Sequence, residues 1–202
     1  MLVVGIDPGT AVTGFGVVTD DDDGASPPGA RVLPGVGRGR MRLVECGVIR
    51  TRAREPLATR LQEIYSGVTD LIARHQPHVL AVEGVFYARN VRTTLALGHA
   101  RGVVLLAGVE AGLAIREYSP AEIKKSVVGA GAATKEQVQY MLARLLRLRV
   151  PPQPADAADG VAAAITCLLA LGLERLKDRA QSVGALLPAA RAKVAPISKS
   201  AG

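Results

Sequence analysis

The chain has 202 residues, which suits one domain of ordinary size with a substantial core. Hydrophobic residues make up 49% of it, which excludes a disordered chain, and aromatic residues only 3%, so the core must consist of Val, Leu, Ile and Ala. The net charge of +7 and the pI of about 9.8 favour polyanionic partners, with nucleic acid first among them.

The sequence predicts a cytoplasmic protein without membrane association. No apolar run reaches the roughly eighteen residues that are needed to cross a bilayer. The N-terminus enters a predicted strand without the basic segment and cleavage site of a signal peptide. Cys46 and Cys167 lie in apolar contexts and lack metal-ligand spacing, which predicts buried free thiols in a reducing compartment.

The first apolar stretch, residues 2–6, predicts a strand that is buried on both faces, as in the middle of a mixed or parallel sheet. It ends in Asp7, directly before Pro8 and Gly9, and a second strand is predicted at 13–18. A charge at the end of a buried strand is costly to dehydrate unless a positive group lies beside it. Asp before Pro-Gly also commonly initiates a turn, and this stretch alone leaves both interpretations open.

Residues 20–40 predict a long, flexible connection between two strands of a hairpin, because they are rich in Asp, Pro and Gly. The four consecutive Asp residues, 20–23, lack the alternating spacing and closing Glu of a calcium loop, and we interpret them as a solvated charge run. A third strand, over residues 41–51, would complete an antiparallel meander.

Helices and strands alternate after the meander. Helical spacing predicts a helix over 56–75, and an apolar strand at 79–82 ends in Glu83. A close-packed helix is predicted over 90–112, a short strand at 113–115, a helix opened by a capping box at 134–137, and a last helix from about 154 to 173. The order predicts an α/β fold with a five-stranded mixed sheet, in which parallel strands follow the three-stranded antiparallel meander and helices cover both faces. We expect one domain over residues 1–173 and a basic, disordered tail over residues 174–202.

The last predicted helix carries two carboxylates in apolar surroundings. Asp156 and Asp159 lie three residues apart, hence on one helical face, and their neighbours are apolar nearly all the way round, which indicates a buried helix. Acids in a first turn complement the helix dipole, but that gains only about 0.3–1 kcal/mol, less than the several kcal/mol per ion that dehydration costs. A bound divalent cation would reverse this balance.

The four acids can meet at one point, because two adjacent strands and a covering helix would bring Asp7, Glu83, Asp156 and Asp159 together. Ligation by oxygen alone suits Mg²⁺ or Mn²⁺ rather than zinc. Two such ions about 3.5–4 Å apart would clamp the attacking and leaving oxygens of a phosphodiester.

A series of motifs resembles, in the same order, those of the RuvC-type Holliday-junction resolvases. They are residues 5–10 (GIDPGT) with 12–16 (VTGFG), 81–86 (AVEGVF), 97–102 (LGHARG), 127–129 (VVG) with Lys135, and 155–159 (ADAAD). The matches span about residues 2–172. The resemblance implies an RNase H-like fold, a homodimer, and paired nicks in strands of like polarity at a four-way DNA junction during recombination and repair. It also implies two Mg²⁺ ions per active site, for which Mn²⁺ would substitute, and a RuvA–RuvB branch-migration complex as partner.

Site residues follow from the resemblance by position. The four acids, Asp7, Glu83, Asp156 and Asp159, match the family's catalytic metal-binding residues. Lys124 and Lys135 match its DNA-contacting lysines, and Phe86 matches an aromatic residue that stacks near the crossover. Arg89 and Arg92 are expected to extend the basic surface, with solvated side chains as the alternative.

Three features depart from the family pattern. Gly84 stands where relatives have Gln, the segment 20–40 is longer than the usual hairpin, and the tail beyond about residue 173 is not covered. Two other functions remain open at this stage. The segment 5–10 also resembles the first phosphate loop of actin-like ATPases and sugar kinases, although no second phosphate loop follows. A basic module that binds junctions without cutting them is the other alternative, against which all four acids are present.

Overall fold

The computed structural model of the protein describes residues 1–21, 40–84 and 91–191, and for residues 21, 40, 179 and 183–191 it describes the backbone alone. Most of the predicted hairpin loop, residues 22–39, therefore lies outside the described residues.

The five strands form one mixed sheet in the order β3-β2-β1-β4-β5. The strands are β1 (Leu2–Asp7), β2 (Val12–Asp21), β3 (Arg40–Arg50), β4 (Val79–Glu83) and β5 (Ala114–Tyr118). β1 pairs antiparallel with β2, and β2 pairs antiparallel with β3, while β1, β4 and β5 run parallel. β1 is the central strand, and its residues Val3, Val4 and Ile6 are fully buried because helices cover both faces. The predicted fold class is confirmed.

The helices divide between the two faces of the sheet. They are α1 (Leu57–His75), α2 (Val91–Glu110), α3 (Pro120–Val128), α4 (Lys135–Leu146) and α5 (Ala155–Arg191). Ile64 of α1 and Val104 of α2 pack with Val4 on one face. On the other face, Val138 of α4 and Val161 of α5 pack with β1 and β2.

The helix α3 was not predicted, although its sequence carries a recognisable start signal. The Ser119 side chain accepts a hydrogen bond from the Glu122 backbone N–H, the Glu122 carboxylate accepts one from the Ser119 N–H, and Pro120 occupies the first turn. The predicted capping box of α4 is present, with Thr134 and Gln137 in the same roles.

One helix prediction needs correction. The sequence predicts that the last helix ends near Leu173, whereas α5 continues through Gly172 to Arg191, because a single Gly inside a helix costs only about 1 kcal/mol and does not by itself end it. The helix predicted over 90–112 is present as α2, and its buried residues lie along one face.

The helix α5 lies directly against the middle of the sheet. A Cβ atom at Gly5 of β1 would fall 2.2 Å from the carbonyl oxygen of Gly160, so the close approach requires glycine. Among the described residues, one stretch, Ala155–Ser182, is long and apolar enough to span a membrane, and 67% of its most apolar window is buried in the protein. This stretch is therefore the central core helix, and its first turn is fixed against β1 and β2.

Candidate active site

Two of the predicted acids end neighbouring parallel strands. Ile6 of β1 is in register with Val82 of β4. The next residues, Asp7 and Glu83, therefore end their strands side by side at the carboxyl edge of the sheet. Each follows a run of buried apolar residues, and both side chains are half-buried. The strand pairing alone therefore brings together two carboxylates that are far apart in the sequence.

The start of α5 adds two more carboxylates at the same edge. Gly14 of β2 is in register with Asp7, and a Cβ atom at Gly14 would lie only 1.8 Å from the carbonyl oxygen of Asp156. Carboxylate oxygens of Asp7, Asp156 and Asp159 all lie within 4.8 Å of one another. Glu83 is not part of that group, but it is close enough to Asp7 and Asp159 for their charges to act on it.

The pKa values of three of the acids are raised when only protein surrounds them. Burial, with smaller contributions from the charges of Asp159 and Asp156, raises the pKa of Asp7 to about 6. Burial raises the pKa of Glu83 to about 8, with smaller contributions from Asp7 and Asp159. Burial also raises the pKa of Asp159, against the opposing effect of Lys135. Excess negative charge in a partly dehydrated site is the condition that a cation relieves.

Two lysines lie beside the acids. The Lys135 Nζ is 2.8 Å from an Asp159 carboxylate oxygen, and this hydrogen bond raises the pKa of Lys135. Lys124, in α3, is half-buried and lowers the pKa of Glu83 and Asp159 through its charge. Both lysines were predicted as DNA contacts, and the structure places both at the acid cluster.

The turn that follows Asp7 is held by three side chains that the sequence analysis did not select. The Thr13 hydroxyl donates to the Gly9 carbonyl at 2.7 Å. The Thr51 hydroxyl donates to the Thr10 carbonyl at 2.6 Å, and Arg60 of α1 donates to the same carbonyl and to the Thr51 hydroxyl. Nothing in the local sequence predicts this network, because its members lie far apart in the sequence.

The other predicted DNA contacts are Phe86, Arg89 and Arg92. Phe86 and Arg89 lie outside the described residues. Arg92 is exposed in the first turn of α2, the helix that follows β4 in the sequence.

The donor set of the cluster is suited to a hard divalent cation. It consists of carboxylate oxygens from β1 and α5, with Glu83 of β4 beside them. Oxygen-only ligation is the chemistry of Mg²⁺, Mn²⁺ and Ca²⁺. The protein therefore has a candidate divalent-cation centre at the carboxyl edge of β1 and β4.

A mixed five-stranded sheet with carboxylates at this edge and lysines beside them defines the class of protein, which is a nuclease of the RNase H-like fold. The model of the family described as "Crossover junction endodeoxyribonuclease RuvC" matches residues 3–167. A relative of that name in Pelotomaculum thermopropionicum is 44% identical over 165 residues, which cover 82% of this chain and 91% of the relative. The chain belongs to the RuvC family of crossover junction endodeoxyribonucleases.

Solved structures agree with this assignment. The structure of Thermus thermophilus RuvC matches with a TM-score of 0.71 and 32% identity, over 84% of this chain and 94% of that one. A second structure of that protein, in complex with Holliday junction substrate, matches with a TM-score of 0.71 and 31% identity, over 86% and 98% of the two chains. These comparisons decide against the actin-like ATPase and against a binding module without catalysis.

Proposed function

We propose that the protein resolves four-way DNA junctions by paired nicks in strands of like polarity, with Asp7, Glu83, Asp156 and Asp159 as the catalytic, metal-binding acids. The observation that carries this proposal is the convergence of Asp7, Asp156 and Asp159, whose oxygens lie within 4.8 Å of one another, beside Glu83. The solved relative in complex with a Holliday junction supports the choice of substrate.

The acids would hold two Mg²⁺ ions, for which Mn²⁺ would substitute. When bound, such ions supply Lewis acidity and an activated water for in-line attack on the phosphate, which leaves 5′-phosphate and 3′-hydroxyl ends. Because burial raises the pKa of Glu83 to about 8, this residue would be mostly protonated in the metal-free protein at neutral pH, and it would release the proton when a cation binds.

The basic residues around the acids would bind the DNA backbone. Lys124 and Lys135 lie beside the carboxylates and would neutralise a phosphate there, and the net charge of +7 favours association with a polyanion. Phe86 would stack near the crossover, as the family motifs imply. Arg89 and Arg92 would extend the basic surface.

One face of α2 would join two copies into a homodimer. Successive residues of an α-helix are about 100° apart around the helix axis. On this basis the exposed residues of α2 form a stripe about 80° wide, opposite the buried residues. The stripe consists of Val91, Leu95, Gly98, Gly102, Leu106 and Val109. Val91 and Val109 are 74% and 64% exposed, and a Cβ atom at either glycine would meet nothing within 4 Å. Two copies of such a face can approach closely about a two-fold axis, which suits paired nicks on a two-fold substrate.

The remaining expectations extend this function. The nuclease domain would cover residues 1–173, with residues 174–202 as a basic appendage. A RuvA–RuvB branch-migration complex would supply the junction, and the enzyme would act in the cytoplasm.

A cleavage assay tests the proposal directly. The protein is incubated with a synthetic four-way junction and with a duplex of matched sequence, in Mg²⁺ or in EDTA, and the nicks are mapped at nucleotide resolution. We expect symmetric nicks in two strands of like polarity, only in the junction and only with metal. Equal cutting of the duplex, or cutting in EDTA, would contradict it.

A further inference from the structure

The ion pair between Lys135 and Asp159 joins two firmly placed elements. Lys135 is the first residue of α4, whose N-terminus is fixed by the reciprocal hydrogen bonds of Thr134 and Gln137. Asp159 lies in the buried start of α5. The separation of 2.8 Å between Nζ and the carboxylate oxygen is that of a charge-assisted hydrogen bond.

The ammonium group contacts one of the carboxylates that would hold a cation. In the described part of the chain, Asp7 and Asp156 form no ion pair, so Lys135 is the nearest positive partner of the cluster. It brings a single positive charge to three aspartates whose oxygens lie within 4.8 Å of one another, so Lys135 alone does not balance their charge.

The ion pair between Lys135 and Asp159 is also exposed enough to dissociate. The Lys135 side chain is 50% exposed and that of Asp159 is 24% exposed, so water can replace either partner. Exposed ion pairs contribute little net stability. Lysine carries its charge on a flexible four-carbon stem, so the ammonium can move several ångströms while α4 stays in place.

We propose that Lys135 serves as an exchangeable counter-ion, which neutralises Asp159 in the metal-free enzyme and transfers to a DNA phosphate when a divalent cation binds the acids. This inference rests on the proposed function of the acid cluster. The exchange would make the binding of metal and the binding of DNA cooperative, because the cation that occupies the acids also releases Lys135 to contact a phosphate.

Metal binding without DNA tests the first half of the exchange. The affinity for Mn²⁺ is measured by electron paramagnetic resonance on the full-length protein and on Lys135→Met and Lys124→Met. Lys124 is the matched control, since it acts on Asp159 through its charge without a direct ion pair in the described structure. We expect Lys135→Met to bind Mn²⁺ about two- to fivefold more tightly, the range that corresponds to an exposed ion pair, and Lys124→Met to show a smaller change. An unchanged or weaker affinity in Lys135→Met, or equal gains in both variants, would overturn the proposal.

Junction binding tests the second half. The affinity for an intact four-way junction is measured by fluorescence anisotropy in EDTA and in Ca²⁺, over a range of salt concentrations. We expect Lys135→Met to lose affinity and about one unit of salt slope in Ca²⁺, and to bind like the unaltered protein in EDTA. Lys124→Met should lose the same affinity in both. Equal losses for Lys135→Met in EDTA and Ca²⁺ would refute the exchange.

One further variant separates this inference from the proposed function. If Asp7→Asn leaves Mn²⁺ affinity unaltered, the acid cluster is not the metal site and both proposals fail. If Asp7→Asn loses Mn²⁺ while Lys135→Met binds it like the unaltered protein, only the exchange fails.

Discussion

Gly14 of β2 and the carbonyl of Asp156 are so close that a Cβ atom at Gly14 would lie 1.8 Å from that oxygen. Because Gly14 is also in register with Asp7, this contact sets the position of one acid relative to the other. The geometry of the candidate metal centre thus depends on a residue that carries no functional group.

Replacing Gly14 by Ala should therefore damage both the fold and the site. The methyl group must displace backbone rather than a flexible side chain, and overpacking of this kind costs about 1–3 kcal/mol of unfolding free energy. The same displacement should weaken Mn²⁺ binding. Gly131→Ala is the control, since its Cβ would meet Ala121 at an ordinary 3.4 Å. Urea unfolding and a Mn²⁺ titration measure the two effects, and wild-type values for Gly14→Ala would show that the helix can move away at no cost.

Asp7→Asn should abolish catalysis without weakening the protein. A metal centre at these acids would contribute several kcal/mol of transition-state stabilisation, so cleavage in Mg²⁺ should fall by about a thousandfold or more. Junction binding in EDTA should persist. The melting temperature of the metal-free variant should not fall, because the substitution removes a half-buried carboxylate whose pKa is raised to about 6. Retained cleavage, or a protein that no longer folds, would contradict the role assigned to this residue.

The acids could be predicted from sequence because each combines a charge with a strongly apolar neighbourhood. Asp7 and Glu83 end buried strands, and Asp156 and Asp159 open a buried helix, so pattern alone indicated their special surroundings. Their convergence followed from the predicted order of strands and helices.

Other features required coordinates because they depend on which surfaces meet. Hydropathy marks Val91 and Val104 of α2 equally, yet the first is exposed and the second is fully buried. The contact between Lys135 and Asp159 depends on the angle at which α4 approaches α5, which no local pattern encodes. The extension of α5 to Arg191 was missed because that segment was interpreted by its polar composition rather than by its helical propensity.

The metal-free protein should lose stability as the pH rises from about 4 to about 8. In the folded state Glu83 has a pKa of about 8 and Asp7 of about 6, against ordinary values of 4.5 and 3.8. The folded state therefore binds more protons than the unfolded state across this window, so unfolding free energy falls as these groups ionise. Thermal melts in EDTA at several pH values measure this loss of stability as a fall in melting temperature.

Addition of Mg²⁺ should reverse that trend. A cation binds the ionised carboxylates and must displace protons at low pH, so the rise in melting temperature on adding Mg²⁺ should be larger at pH 8 than at pH 6. Glu83→Gln should reduce this difference, because it removes the group with the highest pKa. A Mg²⁺ effect of the same size at both pH values would show that these acids do not bind the ion.

Two aspartates on the exposed stripe of α2 should separate the protein into monomers. Leu95 and Val109 are 59% and 64% exposed on the same face, and a buried carboxylate at each position of a paired interface would cost several kcal/mol per ion. Light scattering should give a dimer for the unaltered protein and a monomer for Leu95→Asp with Val109→Asp. Val150→Asp, at a residue that is 68% exposed elsewhere on the surface, should stay dimeric. The monomer should retain Mn²⁺ binding, since none of the four acids lies on α2, and its nicks in the two strands should become independent. A double variant that remains dimeric would place the interface on another surface.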